Sequence, residues 1–344
     1  MVIKMHEIDL SIYDVHTDLI LESVNDNIIK IKKRKKNDIL VEEVVLTEED
    51  GKLINKKKGT YITISFDDVT DYENRKQLIS VLKSELSSFF KIMDIKNSDK
   101  CLIIGLGNSY STPDSLGPKT VDNIIVTKHL FDMEDVSVDE KYRNVSVFRP
   151  GVVAQTGMET QQVVLGIVEK TKPDLLIIID ALASSSIERV NKTIQLTDSG
   201  ISPGSGVGNQ RMELSFETLK VKTLAIGIPT VVDAVTIVSD TIKYLVKKIS
   251  YQIEKKDNPE NKLKPVTLVN YLEDNPFTLD DEERKELLGV LGSLNENEMK
   301  SLIFEVLTPI GYNLMVTPKE VDFVIEKLAK VLSISLNETL HKKR

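Results

Sequence analysis

The spacing of hydrophobic residues changes along the chain, and each change predicts a different kind of structure. Between residues 28 and 66, short apolar runs alternate with polar loops, which predicts a small N-terminal β subregion. From residue 75 to 92, apolar residues recur every three or four positions, which is typical of a helix with one buried face. The basic run 30–36 is best interpreted as a solvated loop or as an edge strand whose lysines discourage pairing between sheets.

The central part of the chain, from residue 101 to 249, alternates apolar runs of strand length with helical patterns. This alternation predicts an α/β fold with a mainly parallel, twisted sheet and helices on both faces. The predicted strands are residues 101–106, 145–148, 174–180, 193–197 and 223–228. The predicted helices are residues 118–131, 158–171 and 231–249.

The C-terminal part is separated from this core by residues 252–265, which are charged, contain two prolines and predict a surface linker. The tail that follows has the pattern of short helices, and Thr317 is predicted to cap one of them. We therefore expect a helical C-terminal region over 266–344, packed on an α/β core over 19–250.

Two of the predicted strands lead to a carboxylate. The run 101–104 feeds a loop that carries Asp114, and the strand 174–180 has Asp180 at its tip. Acids at two strand ends can face one crevice, where one carboxyl group acts as general base towards water and the other as general acid. The spacing alone leaves an alternative for each residue, because Asp114 fits a turn and Asp180 fits a helix N-cap.

Composition narrows the class of protein. The net charge of −8 argues against nucleic-acid binding by bulk electrostatics. Cys101 is the single cysteine, so no disulfide can form within the chain, which fits a reducing compartment. The N-terminus lacks the pattern of a secretory signal, and no run approaches the roughly 18 apolar residues that a membrane span needs. We expect a cytoplasmic protein with no membrane partner and no direct nucleic-acid partner.

Several phrases, in order along the chain, closely resemble the germination proteases of spore-forming bacteria. They are GLGNSYSTPDSLGP from residue 105, RPGVVAQTGMET from 149, KPDLLIIIDALASSSIERVN from 172, PGSGVGN from 203 and GIPTVVDAVTIVSDTI from 227. The opening phrase EIDLSIYDVHTDL and the tail phrase GYNLMVTPKEVD also resemble this family. The resemblance therefore runs nearly from end to end.

This resemblance implies a sequence-specific endopeptidase that degrades small acid-soluble spore proteins in the forespore or spore core during germination. It also implies an inactive zymogen that removes its own N-terminal segment, a homotetramer, and an atypical aspartic mechanism distantly similar to that of hydrogenase maturation peptidases. The two family carboxylates fall on Asp114 and Asp180, with their individual roles unassigned. No cofactor and no metal is expected. The residues expected to line the cleft are Asn108, Thr156, Gly206 and Asn209.

The resemblance also predicts where the chain cuts itself. Family substrates are cut after an acidic residue that is followed by an apolar one, and residues 17–20 have this form. The cut is expected between Asp18 and Leu19, which makes residues 1–18 a propeptide that occupies or distorts the cleft. Ile20 departs from the small residue usual at the next position, so the efficiency of processing is left open.

Alternative functions remain at this stage. Asp114 and Asp180 are also able to hold a divalent ion in a metal-assisted maturation peptidase, although no His or Cys cluster indicates a strong transition-metal site. The glycine loop 204–209 suggests a phosphate- or nucleotide-binding module. It has neither the dinucleotide-binding nor the Walker A pattern, so a tight loop bordering the cleft is the better interpretation. The basic run 30–36 has a second interpretation, which is attraction of acidic substrates or of DNA that carries them.

Overall fold

A computed structural model describes residues 19–24, 28–134, 137–203, 213–254, 281–307 and 314–341. These residues fall into two compact units. The larger unit contains the described residues from 19 to 231 and from 317 to 341, and the smaller unit contains those from 232 to 316. The predicted propeptide, residues 1–18, and most of the predicted linker lie outside the described residues. The predicted domain boundaries stay predictions.

The strands of the larger unit form one sheet. They are β1 (Ile31–Lys36), β2 (Ile39–Leu46), β3 (Gly59–Ser65), β4 (Cys101–Gly105), β5 (Val145–Phe148), β6 (Leu175–Ser184), β7 (Thr193–Thr197) and β8 (Lys222–Asp233). Their order across the sheet is β1-β2-β3-β7-β8-β6-β4-β5. β5, β4 and β6 pair in parallel, whereas β1, β2, β3, β7 and β8 pair antiparallel with one another in that order.

The helices of the larger unit are α1 (Glu48–Leu53), α2 (Tyr72–Ile92), α3 (Leu116–Val121), α4 (Lys128–Phe131), α5 (Val153–Thr156), α6 (Thr160–Thr171), α7 (Phe216–Leu219) and, later in the chain, α11 (Val321–Leu340). Asp71 caps the start of α2, because its carboxylate accepts a hydrogen bond of 2.7 Å from the Asn74 backbone. α11 packs against both α2 and α3.

Helices cover both faces of the sheet. Odd-numbered residues of β6, such as Ile177 and Ile179, belong to a buried cluster shared with α2, α3 and α11. Even-numbered residues, such as Ile178 and Leu182, belong to a second buried cluster shared with α6. This alternation follows from the two-residue period of a strand. The predicted α/β class, with helices on both faces, is confirmed.

The smaller unit is built from α8 (Ala234–Glu254), α9 (Asp281–Leu288), α10 (Glu296–Leu307) and β9 (Met315–Val316). β9 pairs antiparallel with the last two residues of β8. The side chain of Asp233 accepts hydrogen bonds from the backbone and the hydroxyl of Thr236, which caps the start of α8. α8 and α10 contact each other.

The predicted β strands of the N-terminal region are present as β1 to β3, and they continue the central sheet through the pairing of β3 with β7. β1, which holds most of the basic run, lies at the edge of the sheet, as one of the two interpretations expected. Its cations pair with acids on neighbouring elements, and both Arg34 and Lys36 bind the buried carboxylate of Glu85.

Several predictions about element bounds are wrong, including the strand predicted over 223–228, which continues to Asp233, and the helix predicted from residue 231, which begins at Ala234. The helix predicted over 118–131 is divided into α3 and α4, because Thr127 between them exchanges hydrogen bonds with the backbone of Val145 in β5. β6 continues to Ser184, so Asp180 lies inside the strand and not at its tip. Thr317 does not cap a helix, since its hydroxyl donates to the Thr230 carbonyl and the helix begins at Val321.

Candidate active site

Asp180 lies where the parallel pairing of β6 with β4 ends. The last pair joins Gly105 to Ile179, and the Leu106 backbone still donates a 2.8 Å hydrogen bond to the Ile179 carbonyl. Asp180 is the next residue of β6, and only 6% of its surface is exposed. By the alternation of the strand, its side chain projects to the same face as Ile178 and Leu182. A buried acid therefore stands beside the carboxyl end of β4.

Asp114 lies in the loop that leaves β4. It ends a short 3-10 turn, Thr112–Asp114, directly before α3. The backbone N–H of Asn108 donates to the Asp114 carboxylate at 2.9 Å and to its carbonyl at 3.0 Å. Asp114 is half-buried, so its carboxylate is held by the backbone while part of it faces solvent.

The two candidate acids are brought to the same end of neighbouring strands. The turn that contains Asp114 contacts β6. α3, which follows that turn, lies so close to the sheet that a Cβ atom on Gly117 would stand 2.7 Å from the Ile179 carbonyl oxygen. Leu106, level with Asp180, is only two residues from Asn108, which holds Asp114. This arrangement suits chemistry that needs two carboxyl groups at one strand end.

Asn108 connects the Asp114 loop to α5. Its side-chain carbonyl accepts a 2.5 Å hydrogen bond from Gln155 and a 2.9 Å bond from the backbone of Tyr110. Thr156, next to Gln155, is exposed, and its hydroxyl is engaged by the backbone around the end of α5. The structure thus brings Asn108 close to the neighbour of Thr156. Gly206 and Asn209 lie outside the described residues.

A cavity of about 210 Å³ opens on the face of the sheet to which Asp180 projects. Leu182, two residues beyond Asp180, forms part of its wall, together with Gly227 of β8 and Gln195 of β7. Its polar lining includes Lys56, Lys57, Tyr61, Thr197, Ser199 and Glu213. The cavity therefore lies on the same face of the sheet as the Asp180 side chain and reaches to within two residues of it along β6.

The N-terminal residues of the described chain are anchored at this face. Leu19 is 1% exposed and belongs to the buried cluster that contains Ile178 and Leu182. Ile20 is fully buried, and its backbone donates a 2.7 Å hydrogen bond to the Gln195 side chain. Asp18, the other half of the predicted processing site, lies outside the described residues.

Two other ionisable side chains of the larger unit, Cys101 and Asp198, have pKa values that are raised by burial. Burial raises the pKa of the Cys101 thiol to about 12, which keeps the thiol protonated and unreactive. Burial also raises the pKa of Asp198, which accepts a 2.7 Å hydrogen bond from the Thr60 backbone. Within the described part of the chain, no three His, Cys, Asp or Glu side chains are grouped as ligands for a metal ion. No described helix is long and apolar enough to cross a membrane.

Glu22, Gln155 and Gln195 were missed by the sequence analysis. Glu22 makes several buried hydrogen bonds to the end of β6, but its partners are more than 160 residues away along the chain. Gln155 and Gln195 are neutral residues in short elements. No spacing pattern links any of the three to the acids, and only the folded chain shows the link.

Comparisons with known proteins agree on one family. Residues 12–344 match the family model described as germination protease. The germination protease of Priestia megaterium is 44% identical, with 97% of this chain and 96% of that protein covered. The germination protease of Oceanobacillus iheyensis is 47% identical, with 96% of this chain and 92% of that protein covered.

One solved structure is also similar, a NiFe hydrogenase maturation protease, HycI, from Thermococcus kodakarensis. The similarity covers 41% of this chain and 80% of that chain, at 18% identity and a TM-score of 0.26. A similarity this low carries no argument about fold or mechanism.

Proposed function

We propose that this chain, which belongs to the germination protease family and is therefore a peptidase, is a sequence-specific endopeptidase for small acid-soluble spore proteins. The observation that carries the proposal is the family match over residues 12–344. The acidic chain suits this role, since a net charge of −8 disfavours binding to the DNA that such substrates protect. We place its activity in the forespore or spore core, as a homotetramer. Both of these points depend on the family resemblance.

The proposed chemistry uses Asp114 and Asp180 as a coupled pair. Peptide hydrolysis needs a water molecule made nucleophilic and a proton for the leaving nitrogen. Two carboxyl groups in one site share one proton, because both are not easily ionised together. One then removes a proton from water while the other protonates the leaving nitrogen. Since the pKa values of such a pair belong to both groups together, the acid and the base are not assigned individually.

The environments of the two acids support a division of labour. Asp180 is buried, whereas Asp114 is half-buried, and each carboxylate accepts a 2.9 Å hydrogen bond from a backbone N–H group, that of Ala181 and that of Asn108 respectively. Burial disfavours the charged form of a carboxyl group, and a hydrogen bond from an N–H group favours it. The two acids therefore differ in burial, while each is bonded by the backbone.

The proposed zymogen cuts itself between Asp18 and Leu19. The support is that Leu19 packs in the same buried cluster as the residues flanking Asp180 on β6. The Ile20 backbone is held by Gln195, which lines the cavity on this face. The new N-terminus would then begin at a residue already fixed next to the catalytic strand.

The experiment is incubation of the processed enzyme with a purified small acid-soluble spore protein, followed by mass analysis of the fragments. We expect few cuts, each after an acidic residue that is followed by an apolar one. Cuts at many unrelated sequences, or an intact spore protein, would contradict the proposal. A parallel incubation with a chelator tests the metal-assisted alternative, which requires activity to disappear and to return when a divalent metal is added.

A further inference from the structure

We propose that the buried carboxylate of Glu22 positions the peptide bond between Asp18 and Leu19 for self-cleavage. The inference rests on the proposed self-processing and adds a residue that holds the cleaved segment in place. Glu22 is a positioning residue in this account, because it acts on the scissile bond through the three residues that join them.

Glu22 is bound at the end of β6 by three hydrogen-bond donors and lies near one cation. Its carboxylate accepts hydrogen bonds from the Ser184 hydroxyl at 2.6 Å, the Ser185 backbone at 2.9 Å and the Ser185 hydroxyl at 2.7 Å. The guanidinium Nε of Arg189 lies 3.6 Å away, and only 4% of the Glu22 side chain is exposed. Burying a carboxylate is costly unless donors surround it, and here they do.

The residues between Glu22 and the scissile bond are fixed as well. Ile20–Glu22 forms a 3-10 turn. Leu19 and Ile20 are buried in two different apolar clusters, and the Ile20 backbone is bonded to Gln195. Glu22 is held at one end of the segment, and the apolar side chains of Leu19 and Ile20 are buried. The backbone at Leu19 therefore has little freedom to move.

The clamp, defined as Ser184, Ser185 and Arg189 around Glu22, is formed by the last residue of the strand that carries Asp180 and by the turn that follows it. Ser184 is four residues beyond Asp180 on β6, or about 13 Å at a rise of about 3.3 Å per residue. Three residues span at most about 11 Å, so the clamp limits how far the backbone nitrogen of Leu19 can move from this strand. Holding a reacting bond close to the catalytic group supplies a large part of the rate enhancement in enzymes.

The test measures self-processing of the full-length, unprocessed chain by mass spectrometry, which gives both the rate and the position of each cut. Glu22→Gln keeps the size of the side chain but removes its charge. We expect it to slow processing about tenfold and to spread the cuts to bonds beside Asp18–Leu19. Ser185→Ala removes one donor, and we expect a slowing of about threefold in the same direction. Glu49→Gln, at an exposed position of α1, is the matched control and should process as the wild type does.

Thermal unfolding of each variant separates positioning from stability. The inference would be overturned if each variant were processed more slowly only to the extent that its unfolding temperature fell, and were still cut at the single bond. Wild-type rates in both Glu22→Gln and Ser185→Ala would also overturn it. If the wild-type chain itself is not cut between Asp18 and Leu19, the proposed self-processing fails, and this outcome differs from normal wild-type processing with an unaffected Glu22→Gln variant.

Discussion

At the scale of single residues, the position of Asp114 depends on a glycine that carries no chemistry. Gly107 follows β4 with φ of +113°, a conformation that residues with a side chain rarely adopt. A methyl group on it would collide with the main-chain carbonyl of Asp114. The neighbouring Asn108 N–H then reaches the Asp114 carboxylate. The position of the Asp114 carboxylate therefore depends on the backbone conformation of this loop.

Gly107→Ala should lower both stability and peptidase activity. Strain and the collision with Asp114 should cost about 1–3 kcal/mol of the free energy of unfolding. Displacement of the carboxylate should lower the cleavage rate at least about tenfold. Chemical denaturation and a peptide-cleavage assay measure the two effects.

Gly166→Ala is the matched control for this substitution. Gly166 lies in α6, is exposed, and has open space where a methyl group would stand. Alanine should stabilise the helix by about 0.5–1 kcal/mol and leave cleavage unchanged. Wild-type activity in Gly107→Ala would show that the glycine does not set the position of Asp114.

Single residues also show where sequence reasoning succeeds and where it ends. Asp114 and Asp180 could be singled out because each follows a buried apolar run, which is a local pattern. Glu22 could not, because the donors that bury it come from β6 and the turn after it, far along the chain. In the sequence, a glutamate whose carboxylate becomes buried cannot be distinguished from an exposed one, because its partners are brought together only by the fold.

At the scale of elements, the end of α11 is joined to the loop before β5 by a single ring. Nδ1 of His341 accepts a hydrogen bond from the Arg143 backbone at 3.3 Å, and Nε2 lies 3.2 Å from the Ile125 carbonyl. Both bonds require the neutral ring with its proton on Nε2. Burial, and then the charge of Arg143, lower the pKa of His341 below its ordinary 6.5, although the bond to Ile125 opposes them.

This ring predicts a pH dependence of stability. The unfolded chain binds a proton at His341 near pH 6.5, whereas the folded chain binds it only at lower pH. Acidification below 6.5 therefore favours unfolding, and the contribution of His341 is fully present above that pH. The thermal midpoint should fall more steeply below pH 6.5 in the wild type than in His341→Asn, by an amount on the order of a few degrees.

His129→Asn is the control for this measurement, since His129 is exposed in α4. Its midpoint should follow the wild-type curve. Equal slopes for the wild type and His341→Asn would show that the ring does not couple the end of α11 to pH.

Elements also differ in how far their residues predict them. β5 and β7 span the residues predicted for them, 145–148 and 193–197, where apolar residues alternate with polar ones. The direction of neighbouring strands could not be predicted from the sequence. A strand buried on both faces is continuously apolar whether its neighbours are parallel or antiparallel. The break between α3 and α4 depends on Thr127 meeting β5, a tertiary contact that outweighs local periodicity.

At the scale of the whole molecule, the larger unit combines two kinds of sheet in one. Asp180 and the loop that carries Asp114 lie where the parallel pairing of β4 with β6 ends. The antiparallel strands β7 and β8 continue the sheet and line the cavity beside Asp180. The N-terminal segment is anchored on this face by Leu19, Ile20 and Glu22. The strand of Asp180, the cavity and residues 19–22 are therefore parts of one unit.

The central claim is that Asp114 and Asp180 act together, and a double-mutant cycle tests it most directly. Cleavage of a spore-protein peptide is measured for Asp114→Asn, Asp180→Asn and the double variant, with the exposed Asp67→Asn as the matched control. Groups that act as a unit lose activity together, so all three should lose at least about 10³-fold to a similar extent, while the control keeps full activity. More than a tenth of wild-type activity in either single variant, or a double-variant loss equal to the product of the two single losses, would contradict the account.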